Sequence, residues 1–110
     1  MSTGIVQVTF TAAEREVAER LVEDLVGAGL VACGQVSGPV RSVYRWRGAV
    51  ERADEWRAVL KTSEARAPRV VAAVRAGHPY ETPEVVVTPV VGGDADYLAW
   101  VVEESGGAGD

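Results

Sequence analysis

Two alternating runs meeting at a tight turn constrain this chain more than any other feature. From Val40 to Arg47, Val43 and Arg45 alternate with Tyr44 and Trp46. Arg47-Gly48 reads as the turn, and Ala49 to Thr62 returns with Trp56, Ala58 and Leu60 on one face and Arg57, Val59 and Lys61 on the other. An arm of about a dozen residues reaches about 40 Å. A compact domain of about 100 residues has a radius of gyration of only about 13 Å. The hairpin must therefore bend sharply or carry its tip past its own helices. A projecting tip exposes Tyr44, Trp46 and open strand edges, which identical neighbours would shelter. Self-association, with copies of the chain as partners, is the expectation.

The remaining elements arrange themselves around that hairpin. Ile5 to Phe10 alternates and is rich in β-branched residues, so it reads as a strand. Thr11-Ala-Ala-Glu14 has capping-box spacing. Behind it, Val17, Leu21 and Leu25 with Ala18, Val22 and Val26 draw the apolar stripe of a helix ended by Gly27 and Gly29. Leu30 to Val36 is a short apolar strand, broken or bent at Ser37-Gly38-Pro39. Ser63-Glu64 opens a second helix in which Pro68 fits only the first turn. Val70, Val71 and Val74 form its buried stripe. The two prolines of His78-Pro-Tyr-Glu-Thr-Pro-Glu84 force a loop. Val85 to Thr88 is a continuous apolar run, read as an interior strand buried on both faces. Asp94 caps a last helix carrying Tyr97, Leu98, Val101 and Val102.

The order is β-α-β-β-α-β plus a terminal helix. With right-handed crossovers it folds as an α+β, ferredoxin-like sandwich: four antiparallel strands with both helices on one face. One domain spans residues 5–104, between loose ends at 1–4 and at the glycine-rich 105–110.

Composition narrows the function. A formal charge of −5, with 11 basic against 16 acidic residues, speaks against nucleic acid as a partner. No apolar run approaches the roughly 20 residues a membrane helix needs, so no membrane partner is expected. The opening Met1-Ser-Thr-Gly lacks the basic and apolar regions of a signal peptide, and one cysteine excludes an intrachain disulfide. Both point to the cytoplasm. Nucleophilic catalysis finds no glycine-framed serine and one histidine, and the Phe10–Ala13 connection lacks the glycines of a phosphate cradle. No enzyme and no required cofactor are expected.

Two residues stand out as metal-ligand candidates. His78, close in sequence to Tyr80, Glu81 and Glu84, reads either as a copper or zinc ligand or as a turn histidine bonded to backbone. Cys33 reads either as a small packed hydrophobe or as a reactive, metal-binding thiol. Neither CxxC nor HxxxH spacing occurs.

Leu30-Val-Ala-Cys33, Ser42-Val-Tyr-Arg-Trp-Arg-Gly48, Leu60-Lys-Thr62, His78-Pro-Tyr-Glu-Thr-Pro-Glu84 and Asp96-Tyr-Leu-Ala-Trp100 occur in the order seen in the CutA divalent-cation tolerance family, which the chain resembles. The resemblance runs from about Val6 to Trp100. It implies a ferredoxin-like fold, a homotrimer whose hairpins embrace neighbouring subunits, and a role in tolerance of copper and other divalent cations. Copper ligands proposed in that family match Phe10, Gly77 and His78 here, and only His78 is a donor. Cys33 matches a cysteine common after the first helix. The family's usual Trp-Glu-Gly turn is Trp46-Arg-Gly48.

Three roles follow. The first is a trimer in divalent-cation tolerance with a weak site at His78. The second is a trimer resembling PII signalling proteins, with a small ligand held between subunits near Tyr44, Trp46, Glu55, Lys61, Tyr80 and Glu84. The third is a rigid hub that docks other proteins.

Overall fold

The computed structural model describes residues 3–106. Strand β1 (Ile5–Ala12) leads to helix α1 (Arg15–Gly27) and the long hairpin β2 (Cys33–Trp46) and β3 (Ala49–Ser63). A 3₁₀ turn at Glu64–Arg66 then enters α2 (Ala67–Gly77), and β4 (Val85–Val90) and α3 (Ala95–Ser105) follow. The sheet order is β2-β3-β1-β4, and every neighbouring pair is antiparallel.

Alternation divides the sheet into two faces. Val6, Val8, Phe10 and Ala12 of β1 join Ala58 and Leu60 of β3 beneath α1 and α2, and with Ala18, Leu21, Val22, Leu25, Val70 and Val74 they form the main core. On the other face Ile5, Ala32 and Val101 make a smaller cluster under α3, with Val90 and Leu98 at its margin. Close approach of α1 to the sheet requires Gly34, where a Cβ would stand 2.6 Å from both Leu60 and Val22. Helix α1 ends in a Schellman motif: Gly29, at φ +72°, donates to Val26, and Leu30 donates to Leu25.

Several sequence expectations change in three dimensions. The Thr11–Glu14 capping box does not form. Thr11 and Ala12 pair with Arg57 and Trp56 as strand residues, and Glu14 takes the N-cap position without a side-chain bond. Sheet pairing outcompetes the local cap. Val26 lies outside the buried stripe and is exposed. Ser37-Gly38-Pro39 does not end a strand, because β2 runs through it with a register shift between Ser37 and Val40. The Val85–Val90 strand lies at the sheet edge, and Val86 and Val87 are exposed rather than buried on both faces. An apolar run records that a surface is to be covered, not that the same chain covers it.

Of the residues assigned to loose ends, four are described and each is held. Thr3 donates to the Val90 carbonyl, and the Gly4 carbonyl accepts from Glu64. Ser105 is buried and donates to Val101, and the Gly106 carbonyl accepts from Arg66. The other residues of those ends lie outside the described residues.

The arm projects. Every residue from Val43 to Arg52 is exposed, and the longest dimension of the molecule is 44 Å. A two-residue turn closes it, with Arg47 at φ +50° and Gly48 at φ +82°, the left-handed pair that matches strand twist.

Candidate functional site

The register shift in β2 builds the site. Before it, odd-numbered residues of β2 share the α3 face; Cys33, for instance, opposes Lys61. After it, Val40 opposes Glu55 and Tyr44 opposes Glu51, so even-numbered residues take that face. One inserted residue reverses the side on which every later side chain emerges. Tyr44, Trp46 and Ser42 thereby share a surface with Glu55 and Thr11 instead of emerging on the α1/α2 side. Gly38 makes the turn possible: its φ is +149°, and a Cβ there would meet the Glu55 carbonyl and the Trp56 ring at 3.0 Å.

The loop after α2 closes over this surface, and His78 fixes it. His78 is 7% exposed. Its Nδ1 accepts from the Tyr80 backbone N–H at 3.1 Å, so the ring proton sits on Nε2, which donates to the Thr11 carbonyl at 2.6 Å. The ring also meets Phe10 edge-on and lies 4.6 Å from the Tyr80 ring. Both nitrogens are engaged with backbone, and neither holds a lone pair open to a metal while those bonds stand. That arrangement corresponds to the turn-histidine alternative.

Tyr80 then reaches across the cleft and donates to Glu55 Oε2 at 2.9 Å. Burial first, then the hydrogen bond to Glu55 and its charge, push the Tyr80 phenol up to about 12. At the rim Arg47 bridges to Glu81 at 3.2 Å, joining hairpin tip to loop. The open cleft between arm and loop measures about 590 Å³. Tyr44, Trp46, Glu55, Tyr80 and Glu84 all line it, together with Thr11, Ser42, Val43, Glu81, Thr82 and Pro83. Its walls are aromatic and apolar, its charged groups are three glutamates, and no lysine or arginine is among the lining residues.

Two candidates lie elsewhere. Lys61 pairs with Gln7 and Cys33 at the opposite end of the sheet and does not line the cleft. Cys33, half-buried, has its Sγ 3.4 Å from the Tyr97 hydroxyl. That hydrogen bond, followed by burial, pushes Tyr97 up to about 12. Ladder spacing of four residues and two strands puts Cys33 about 16 Å from Thr11, so it shares no site with His78. Phe10 is fully buried in the main core, and a Cβ at Gly77 would stand 2.6 Å from Leu21 Cδ2. Position 10 is filled by a ring that offers no donor atom, and a side chain at position 77 would need the Leu21 methyl to shift. Among the described residues no three His, Cys, Asp or Glu side chains converge as a metal site. No helix among them is long and apolar enough to cross a membrane.

Alternation counted straight through β2 misses Ser42 as a lining residue, because the parity change shows only in the pairing. The Ser37-Gly38-Pro39 interruption was the available signal.

Comparison with known proteins agrees with this architecture. A family model described as CutA1 divalent ion tolerance protein matches residues 6–104. The divalent-cation tolerance protein CutA of Pectobacterium atrosepticum is 36% identical over 91 residues, 83% of each chain. Its Escherichia coli O139:H28 counterpart is 34% identical over 100 residues, 91% of this chain and 89% of that one. Among solved structures, the divalent cation tolerance protein of Thermus thermophilus superposes with a TM-score of 0.89 at 34% identity, covering 92% of this chain and 98% of that one. The Archaeoglobus fulgidus protein, described as periplasmic, gives 0.88 at 31% identity over 92% and 98%. A match that begins in β1 and runs to the end of α3, with the same fold in the relatives, means that this chain belongs to the CutA1 divalent ion tolerance family.

Proposed function

We propose that the chain acts as a homotrimer in tolerance of divalent cations, copper among them, in the cytoplasm and by binding rather than catalysis. Family membership supports the physiological role. We read the β2-β3-β1-β4 sheet, with α1 and α2 on one face, as a ferredoxin-like sandwich. The observation that carries the assembly is the exposed apolar surface along the edge strand and the arm. Val86 and Val87 are 47% and 42% exposed, and Val43 and Val50 of the arm are 60% and 51% exposed. A lone subunit leaves that surface and the β4 edge wet, whereas three copies whose arms cross neighbouring edges cover both.

Metal contact in this reading is weak and needs no resident cofactor. Cys33, half-buried, is the soft donor that remains once His78 is assigned to holding the loop. The glutamates of the cleft disfavour an anionic ligand, which narrows the PII-like alternative to a neutral or cationic one. Light scattering on the purified protein should give three times the subunit mass, and a monomer at micromolar concentration would sink the assembly. Copper(I) competition should show binding lost in Cys33→Ala and retained in His78→Ala. Loss of the gene should raise copper sensitivity in the host, with rescue by the wild-type chain.

A further inference from the structure

Two exposed patches at opposite ends of the subunit carry opposite charge. The first is on the arm. Past the bulge, Val43 opposes Arg52 and Arg45 opposes Val50, so these four side chains share one face of the hairpin. All four are exposed, and neither Arg45 nor Arg52 has an ion pair among the described residues. The other face, with Tyr44 and Glu51, is the one that the 78–84 loop approaches.

The second patch is on α3, which packs on Ile5 and Val90 at the end of β1 far from the arm. The Tyr97 and Trp100 rings lie 5.8 Å apart and are still 39% and 41% exposed. Asp96 and Glu103 flank Trp100 on the same side of the helix, and α3 contains no lysine or arginine. An aromatic centre with a charged rim has the make-up of a protein interface.

Spacing matches as well as sign. Diagonal neighbours across a hairpin, such as Arg45 and Arg52, stand about 7–8 Å apart. Asp96 and Glu103 are about 10 Å apart along the helix axis. Two long arginines therefore reach two carboxylates with Trp100 between them, and guanidinium groups stack well on aromatic rings. The Tyr44 and Glu51 face would set carboxylates against carboxylates. Within one subunit the two patches lie toward opposite ends of a body 44 Å long and do not meet. Joined between copies they make a head-to-tail contact, the kind that closes into rings.

We infer that the Val43–Arg52 face of the arm docks on the Tyr97–Trp100 face of α3 in a neighbouring copy. Arg45 and Arg52 pair with Asp96 and Glu103 of that copy, and the two valines cover its aromatic rings. The inference rests on the trimer reading and adds to it the surface that receives the arm.

Subunit exchange between isotope-labelled and unlabelled full-length protein, followed by native mass spectrometry, tests the contact. Arg45→Glu with Arg52→Glu should speed exchange about tenfold or more, as interfacial charge pairs turned repulsive do. Adding Asp96→Arg and Glu103→Arg should return the rate to within about threefold of the wild type. Arg20→Glu with Arg75→Glu, on the outer faces of α1 and α2, makes the same change in net charge and should leave exchange unchanged. All six are exposed positions, so circular dichroism should show every variant folded. A trimer whose exchange ignores the arm reversal overturns the contact and leaves the trimer standing. So does a control that speeds exchange as much, or an α3 reversal that fails to rescue. A monomeric wild type removes the trimer reading and the contact together.

Discussion

The helix-covered base of the sheet and the projecting arm are built from the same two strands, yet they obey different rules. At the base, Ala58 and Leu60 are fully buried against α1 and α2, and the facing residues of β1 complete a continuous apolar layer. On the arm, valines, tyrosine and tryptophan lie open, and the cross-strand pair Arg41–Asp54 at 2.8 Å is an exposed one. The base holds itself together. The arm presents surface. Between them stands a single bulge at Gly38, which turns the aromatic row of the arm toward Glu55 and the His78 loop. Buried core and open surface are thus divided along one hairpin.

Substitutions can break or sharpen that division. The largest loss belongs to the base: Phe10→Ala should cost about 3–5 kcal/mol, read from the urea midpoint, because it empties a fully buried site in the main core. A loss no larger than that of an arm substitution would erase the distinction. His78→Ala comes next. It leaves the Thr11 carbonyl and the Tyr80 amide without their ring partners, at about 2–3 kcal/mol. Thermal denaturation measures the loss, and copper(I) affinity should not change with it. Gly38→Ala attacks the boundary itself, combining an unfavourable φ with 3.0 Å contacts to backbone and ring, and should cost about 1–3 kcal/mol. Tryptophan fluorescence should shift in that variant as the ring of Trp56 gives way.

A pH prediction isolates the cleft. The Tyr80 phenol is raised to about 12 from an ordinary value of 10.0, so the folded state holds its proton through a range in which the unfolded chain releases it. Its contribution is full below pH 10 and is lost as pH rises toward 12. Denaturant titrations across that window should show falling stability, with a shallower fall in Tyr80→Phe. Absorbance titration of the phenols should also move Tyr80 downward in Glu55→Gln. The smallest effect falls on the arm: Arg41→Ala should change stability by about 0.5 kcal/mol or less, since the pair it breaks is solvated on both sides.

Local chemistry in the sequence determined a good deal by itself. The apolar rows of α1, its glycine stop, the Arg47-Gly48 turn, the Asp94 cap that accepts from Tyr97, and the proline-enforced loop at 78–84 all appear where short-range rules place them. The excessive length of the hairpin was also legible, because reach is a matter of residues multiplied by rise. Tertiary structure alone decided which side of the arm faces the cleft, since one inserted residue reverses alternation and only pairing reveals it. It also gave both nitrogens of His78 to backbone groups, one of them on a strand far away in the chain, left β4 at an edge, and put Lys61 far from its expected companions. Periodicity and turn preference act over a few residues. Register, edge position and the partner of a buried ring depend on segments far apart in the chain, and those are fixed only when the sheet closes.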